Sequence, residues 1–222
     1  MKILDIPQSG KCGVVVSQGG CNDQYRRILV IPGNPQTEPQ LLIRNFLGNA
    51  ASLWRQITEP QRLAWIAAAE QERTRPRLGQ SGPLSGIQLF TKLNCSLLLV
   101  GEAAVSDVPG KPQFPTLPVT GLTVTNTSGT IALKLACSDD LELNTIVRAS
   151  KPVSAGIYKQ KAFRVLGTAP VVSGGFSTIT SLYAAEFGVP TVGKKVFVTV
   201  NQCVDGWQDI AHKFSAIVPA SS

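Results

Sequence analysis

The chain has 222 residues, 43% hydrophobic and 16% charged, with a formal net charge of +7. This many apolar residues can build a sizeable core, so the composition excludes intrinsic disorder and fits one large or two small domains. Basic residues exceed acidic ones by eleven to seven up to Ala103 and by ten to seven beyond it, which excludes a basic tail.

The N-terminal residues predict a protein made in the cytoplasm. Asp5 and Pro7 interrupt the only apolar run near the start, so we expect no signal peptide. No stretch approaches the about 20 apolar residues that a membrane span needs, and we expect no membrane partner.

The first predicted element is a β-hairpin. Its strands are Gly10–Val16 and Tyr25–Ile31, two β-branched runs. Between them, Ser17–Asp23 is rich in glycine and in Asn and Asp, which tolerate the positive φ of tight turns. A hairpin of this kind can add a strand to a neighbouring chain.

Two helices follow, and the sequence Thr-Glu-Pro-Gln occurs at the start of each. Thr37 and Thr58 are N-cap residues in this pattern, with glutamine at the capping-box position, so helices should begin at Glu38 and Glu59. Three- and four-residue spacing predicts the apolar faces. These faces are Ile43, Phe46, Leu47, Ala50, Trp54 and Ile57 in the first helix and Leu63, Ile66 and Ala67 in the second.

A third helix is predicted after a basic loop. The loop, Arg73–Gly82, is broken by proline and glycine, and Leu84–Val100 then places Ile87, Phe90, Leu93 and Leu97 on one side of a helix. Arginine is concentrated in this half of the chain and can contact phosphate there, unless these side chains only solvate helix faces. The arginines are Arg26, Arg27, Arg44, Arg55, Arg62, Arg73, Arg75 and Arg77.

The first half carries the motif NPxTxxQ, RxF, WRxxTxxQRxAW and SGxxLFxKLN. It comprises Asn34, Pro35, Thr37, Gln40, Arg44, Phe46, Trp54, Arg55, Thr58, Gln61, Arg62, Ala64, Trp65, Ser85, Gly86, Leu89, Phe90, Lys92, Leu93 and Asn94. The region from Gly10 to Val100 thereby resembles a group of uncharacterised bacterial proteins, some associated with phages or prophages. The resemblance implies a structural or accessory role and no catalytic residue.

The hydrophobic period changes across Val105–Pro118, from helical before it to strand-like after it. We therefore predict a hairpin and helical module over residues 1–103, a Pro-rich linker over 104–118, and an all-β module over 119–222. The linker composition fits both a flexible tether and a polyproline II strut.

About seven short β-rich runs make up the second module, separated by Gly, Pro, Asp and Ser. They are Gly121–Thr125, Thr130–Ala136, Leu143–Ala149, Ala162–Leu166, Ser177–Ala184, Lys194–Asn201 and Asp209–Val218. Alternation is clearest in Val196, Val198 and Val200 and in Ile131, Leu133 and Leu135. The predicted fold class is α+β, a hairpin and three helices followed by a seven-stranded antiparallel β-sandwich.

Within this module, the opening Pro118, Gly121, Leu122 and Val124 and the late run Val196–Val200 resemble a fibronectin type III or immunoglobulin-like domain. The chain departs from that pattern because its second strand has leucines instead of a tryptophan. A fold of this kind confers no function by itself.

Five cysteines lack any C-x-x-C pair, so we predict no zinc site and reduced thiols by default. Two disulfides are alternatives: Cys12 with Cys21 across the hairpin, and Cys137 with Cys203 at the ends of two predicted strands.

No catalytic residue, metal ligand or cofactor is predicted. The single histidine, His212, has no nucleophile in a recognisable elbow. Asp139 and Asp140 lack the D-x-D-x-D-G spacing of a calcium loop, and Ser173-Gly174-Gly175 lacks the Lys-Ser/Thr of a phosphate loop.

We therefore expect a non-enzymatic structural protein that assembles with itself and with other structural subunits, with a virion or other particle as its final location. The predicted assembly interface is Val14, Val16, Tyr25, Leu29, Trp54 and Trp65. The alternative is a nucleic-acid-binding accessory protein that uses the arginines of the first half. We expect no small-molecule substrate.

Overall fold

A computed structural model describes residues 9–19, 24–31, 33–74, 81–141 and 143–221. The chain forms two compact units, Met1–Leu41 (the N-terminal unit) and Leu42–Ser222 (the C-terminal unit). The fold class is α+β, with four helices and several antiparallel sheets in the described residues.

The N-terminal unit contains a three-stranded antiparallel sheet in the order β1-β2-β3. Its strands are β1 (Gly10–Cys12), β2 (Val15–Gly19) and β3 (Gln24–Ile28). The predicted first strand is therefore divided in two. Gly13, at φ +59°, lets the chain turn back within two residues, so that Cys12 pairs with Val15.

The first two helices begin at the residues predicted from the sequence, and a third helix begins directly after a capping serine. They are α1 (Glu38–Gln56), α2 (Glu59–Glu70) and α3 (Gly86–Leu99). Thr58 forms the expected capping box with Gln61, whose Oε1 accepts a 2.8 Å hydrogen bond from the Thr58 backbone N–H. Ser85 and Gln88 form a second capping box at α3.

Within the C-terminal unit, α1, α2 and α3 surround an aromatic centre. Phe90 lies edge-on to Trp65, at 5.0 Å between ring centroids, and to Trp54, at 5.1 Å. Trp207, from the β part of the same unit, joins this core. The other buried members are Ala50, Ile57, Ala69, Leu89 and Leu93.

The segment predicted as a linker packs against this helical core. Asn94 bonds both backbone groups of Val105, and the Trp65 indole N–H donates a 2.8 Å hydrogen bond to the Ser106 carbonyl. Val108 and Phe114 also contact the core. Neither a free tether nor an isolated strut describes the segment, because its backbone is hydrogen-bonded to helix side chains and its apolar residues contact the core.

The remainder of the C-terminal unit is mainly β. One sheet has the order β4-β5-β9, and the other has the order β11-β10-β6-β8, with β12 and β7 also paired to β10. The strands are β4 (Val119–Thr127), β5 (Thr130–Cys137), β6 (Asn144–Ala149), β7 (Val153–Ser154), β8 (Arg164–Thr168), β9 (Phe176–Thr178), β10 (Lys194–Val204), β11 (Trp207–Gln208) and β12 (His212–Ile217).

Both sheets contribute to one hydrophobic core. Leu133 and Leu135 of β5 are buried there with Val196, Val198 and Val200 of β10, as the alternation predicts. Phe197 and Thr199, on the opposite face of β10, are buried as well. This central strand therefore has buried side chains on both faces.

One predicted strand, Ser177–Ala184, is wrong in part. Only β9 is extended, and α4 (Thr180–Phe187) follows it directly. Tyr183 is fully buried, and its hydroxyl donates a 3.0 Å hydrogen bond to the Ser150 carbonyl. The helix places Tyr183 and Phe187 one turn apart, with ring centroids separated by 5.1 Å, which an extended chain does not allow.

Cys137 and Cys203 are free thiols, so the alternative of a disulfide between them is wrong. Burial raises the pKa of the Cys203 thiol to about 11. Cys12 is exposed, and its suggested partner Cys21 lies outside the described residues.

Candidate assembly surface

No described side chain of the N-terminal unit is buried, over residues 9–19, 26–31 and 33–41. Large apolar residues are exposed there: Val14 at 72%, Ile28 at 72%, Val30 at 74% and Ile31 at 79%. A small sheet needs a hydrophobic face packed against something to persist in water. The unit therefore has large apolar residues, but none of those described is buried in a hydrophobic core.

Strand pairing places apolar residues on both faces of the sheet. Val15 lies opposite Ile28, whereas Val16 lies opposite Arg27. Because neighbouring residues of a strand point to opposite faces, each face carries a valine. Among the described strands, β1 and β3 are the edges of the sheet, and each has one side that pairs with no other described strand.

The predicted interface residues fall into two groups. Val14 is exposed, and Val16 and Leu29 are half-buried in the N-terminal unit. Tyr25 pairs with Gln18 in the backbone ladder, and its side chain lies outside the described residues. Trp54 and Trp65 belong to the helical core, and Trp65 is 0% exposed. A ring with no exposed area contacts no partner, so we remove Trp65 from the surface.

Helix α1 changes environment along its length. Leu42, Ile43 and Leu47 are 46–47% exposed, although they continue the apolar stripe that is buried at Ala50 and Ile57. The stripe obeys helical spacing from end to end, but only its C-terminal part meets α2 and α3. The first turns within the C-terminal unit therefore present an apolar ridge to solvent.

The predicted apolar face of α2 is exposed, so the prediction that this face is buried is wrong. Leu63 is 58% exposed, Ile66 is 45% exposed, and Ala67 is exposed, whereas Trp65 and Ala69 on the other side are buried. The aromatic ring of Trp65 decides the orientation, because it fills the space beside Phe90 and donates to Ser106. The consequence is a second apolar surface on the C-terminal unit.

The predicted arginines lie on several different elements, and some have structural partners. Arg26 and Arg27 lie in β3 of the N-terminal unit, and Arg44 and Arg55 are exposed on α1. Arg62 has a structural role, since its guanidinium donates to the Arg55 carbonyl at the end of α1 and pairs with Glu59 at 3.3 Å. Arg73 donates to the Ser81 carbonyl, and two further arginines, Arg75 and Arg77, lie outside the described residues.

The residues considered for chemistry are dispersed. His212 is exposed on β12, and the Asp139 carboxylate accepts a 2.8 Å hydrogen bond from the Asp140 backbone N–H, as in a solvated turn. In the described parts of the chain, no group of three or more His, Cys, Asp or Glu residues can hold a metal ion. None of the described helices has the length and apolarity to cross a membrane.

Comparison with known proteins adds no relative. No family model, curated protein or solved structure matches this chain.

Proposed function

We propose that this protein is a non-enzymatic structural subunit that assembles with copies of itself, and with other structural subunits, into a large particle or filament. The type of assembly proposed is a virion or a related filament, in line with the resemblance of the first half to phage-associated proteins. In this proposal the N-terminal sheet makes the contacts and the β part is displayed.

The observation that carries the proposal is the absence of any buried side chain among the described residues of the N-terminal unit. Burying one Val or Ile side chain contributes about 1.5–3 kcal/mol. Burial of Ile28, Val30 and Ile31 together would contribute about 5–9 kcal/mol, which is comparable to the whole stability of an ordinary domain. A neighbouring subunit supplies a surface on which these residues become buried.

Repeated assembly also suits the two edges of the sheet, which pair with no further described strand. An edge strand presents unpaired backbone N–H and carbonyl groups that another chain can complete. With β1 at one edge and β3 at the other, a subunit can accept a neighbour at either side. Head-to-tail contacts of this kind build rings or filaments.

The displayed part is proposed to be a fibronectin III or immunoglobulin-like sandwich. Two strand orders support this description, namely β4-β5-β9 in one sheet and β8-β6-β10-β12 in the other. These are the orders A-B-E and C′-C-F-G of such sandwiches, with the two-residue strands β7 and β11 as additions. The core shared by both sheets gives further support.

The first test replaces Ile28 with aspartate. The Ile28→Asp variant should lose the large species formed by the unmodified protein, because a carboxylate in an apolar contact is strongly disfavoured. Mass photometry and negative-stain imaging after nuclease treatment, at low and high salt, measure the particle mass. Val171→Asp is the matched control, since Val171 is 90% exposed in the C-terminal unit and should leave assembly unchanged.

A deletion of Met1–Asp23 removes β1 and β2. It tests the role of the N-terminal sheet in assembly without introducing a charge into the sheet. Normal assembly of this truncated chain would contradict strand addition by the N-terminal sheet. A monomeric unmodified protein at micromolar concentration, in both salts, would contradict self-assembly altogether.

A further inference from the structure

A groove of about 820 Å³ lies in the C-terminal unit where α3, the outer face of the β10 sheet and the segment before β8 meet. Its lining is strongly basic. Lys92, Arg148, Lys159, Lys161 and Lys213 line it, and Asp209 is the only acidic residue among the described lining residues. Like charges gathered in one concave site favour a negatively charged ligand.

The groove has an ordered polar floor. The Arg148 guanidinium donates to the Asn201 side-chain oxygen and, at 3.1 Å, to Gln208 Oε1. Gln208 in turn donates a 2.9 Å hydrogen bond from its amide to Ser96 Oγ on α3. These contacts hold the Arg148 guanidinium in place and join the helical part to the sheet, so its positive charge has a fixed position in the groove.

The walls carry lysines that are available to a ligand. Lys159, Lys161 and Lys213 are exposed, and no described carboxylate lies within ion-pair distance of any of them. Lys92 differs from these three because it has partners within the protein. Its Nζ lies 3.7 Å from the Glu72 carboxylate and 5.7 Å from the centre of the Trp207 ring. Three exposed lysines and a guanidinium held by hydrogen bonds match a chain of several phosphates better than one small anion.

Apolar side chains accompany the charges. Phe163 is half-buried in the lining, and Ile210 is 78% exposed there. Sites for single-stranded nucleic acid combine a basic groove for the backbone with aromatic rings on which bases stack. Phosphate chemistry alone would need no aromatic ring.

From these observations we infer that the groove between α3, β10 and the segment before β8 binds single-stranded nucleic acid. The phosphates lie along Lys159, Lys161 and Lys213, near the fixed charge of Arg148, and a base contacts Phe163. The site is independent of the proposed assembly surface, and none of the arginines predicted from the sequence lines it.

The test measures binding of a fluorescently labelled 20-nucleotide oligothymidylate to the full chain by anisotropy over a range of salt concentrations. The groove variant is Lys159→Gln/Lys161→Gln/Lys213→Gln. The control variant is Lys11→Gln/Lys151→Gln/Lys194→Gln, which removes three exposed lysines elsewhere and the same net charge. Circular dichroism confirms that both variants are folded.

The groove variant should bind at least tenfold more weakly than the unmodified protein, and the control should stay within threefold. The slope of log affinity against log salt should fall by about 2 in the groove variant, because each phosphate contact on a single strand contributes about 0.7. Equal losses in the two variants would overturn the inference, since binding would then follow net charge alone.

Two further arms identify the ligand. Phe163→Leu should weaken oligothymidylate binding about fivefold or more and leave heparin binding unchanged, because heparin has no base to stack. Equal effects on both ligands would overturn the nucleic-acid assignment in favour of a general polyanion site. Thymidine monophosphate or duplex DNA bound as tightly as the oligonucleotide would overturn the single-stranded assignment.

Discussion

Trp65 and Ile28 are both large apolar residues in regular secondary structure, yet Trp65 is 0% exposed and Ile28 is 72% exposed. Trp65 has Phe90 beside its ring and the Ser106 carbonyl at its indole N–H. Ile28 lies opposite Val15 on the neighbouring strand and is otherwise exposed to solvent. Regular backbone pairing is therefore present in both units, whereas burial of large side chains is confined to the C-terminal unit among the described residues.

The difference separates two sources of stability. The C-terminal unit is stabilised by its own burial, since two cores and the packed segment between them hold it together. The N-terminal unit has a hydrogen-bonded ladder whose apolar side chains remain in water. Under the proposed function, such a sheet would gain stability when a partner covers it.

The largest effect should come from Trp65→Ala. Removing a fully buried indole leaves a cavity beside Phe90 and should lower the free energy of unfolding by about 3–5 kcal/mol. Ile28→Asp in the N-terminal unit should change it by less than about 0.5 kcal/mol in the monomer. Urea denaturation followed by circular dichroism measures both, and a larger effect at Ile28 would reverse the comparison between the units.

A smaller loss is expected for Gly206→Ala, which tests the junction between the helical and β parts. Gly206 has φ +81°, and an added Cβ would lie 2.5 Å from the Leu93 carbonyl oxygen. Strain and overlap together should cost about 2–4 kcal/mol. Gly129→Ala is the matched control, because its φ is +83° with open space around it, and only strain of about 1 kcal/mol is expected there.

If the two glycine variants unfold at the same denaturant concentration, α3 does not pack closely on the β10–β11 turn. The packing of Trp207 in the helical core would then lose its support.

The smallest effect is a pH dependence from the interior of the C-terminal unit. Burial raises the pKa of Cys203 from 9.0 to about 11, so folding favours the neutral thiol. The stabilising contribution is complete below pH 9 and is lost as pH rises to about 11, by at most about 3 kcal/mol. The difference in unfolding free energy between the unmodified protein and Cys203→Ala should change by this amount between pH 8 and pH 11.

Subtracting the Cys203→Ala curve removes the contribution of Tyr183, whose pKa burial raises to about 12. Cys12→Ala is the control, since Cys12 is exposed. A Cys203→Ala curve parallel to that of the unmodified protein would mean that this thiol is solvated.

Several features followed from short-range chemistry and were predicted correctly. Helix α2 begins after Thr58 because Thr58 and Gln61 satisfy each other's backbone donors within one turn. The alternation in β5 and β10 identifies the residues that the shared core buries. In each case the residues that decide the structure are neighbours in the chain.

Other features depended on residues far apart in the sequence. The buried side of α2 was decided by Trp65 packing on Phe90, although Leu63 and Ile66 have the stronger apolar pattern. The helix at Thr180–Phe187 buries Tyr183, whose hydroxyl bonds the distant Ser150 carbonyl. The basic groove combines side chains from α3, β6, β12 and the segment before β8, and no local motif joins them.

The sequence by itself determined the starts of α1 and α2, most of the strand-forming runs of the β part and the absence of a recognisable catalytic motif, because these depend on local capping, periodicity and spacing. Only the tertiary structure decided which apolar faces are covered and which remain exposed. That choice depends on the shapes of packed side chains, which the order of residues does not specify locally. Ile28 and Trp65 show the difference, since one apolar side chain is exposed and the other is buried.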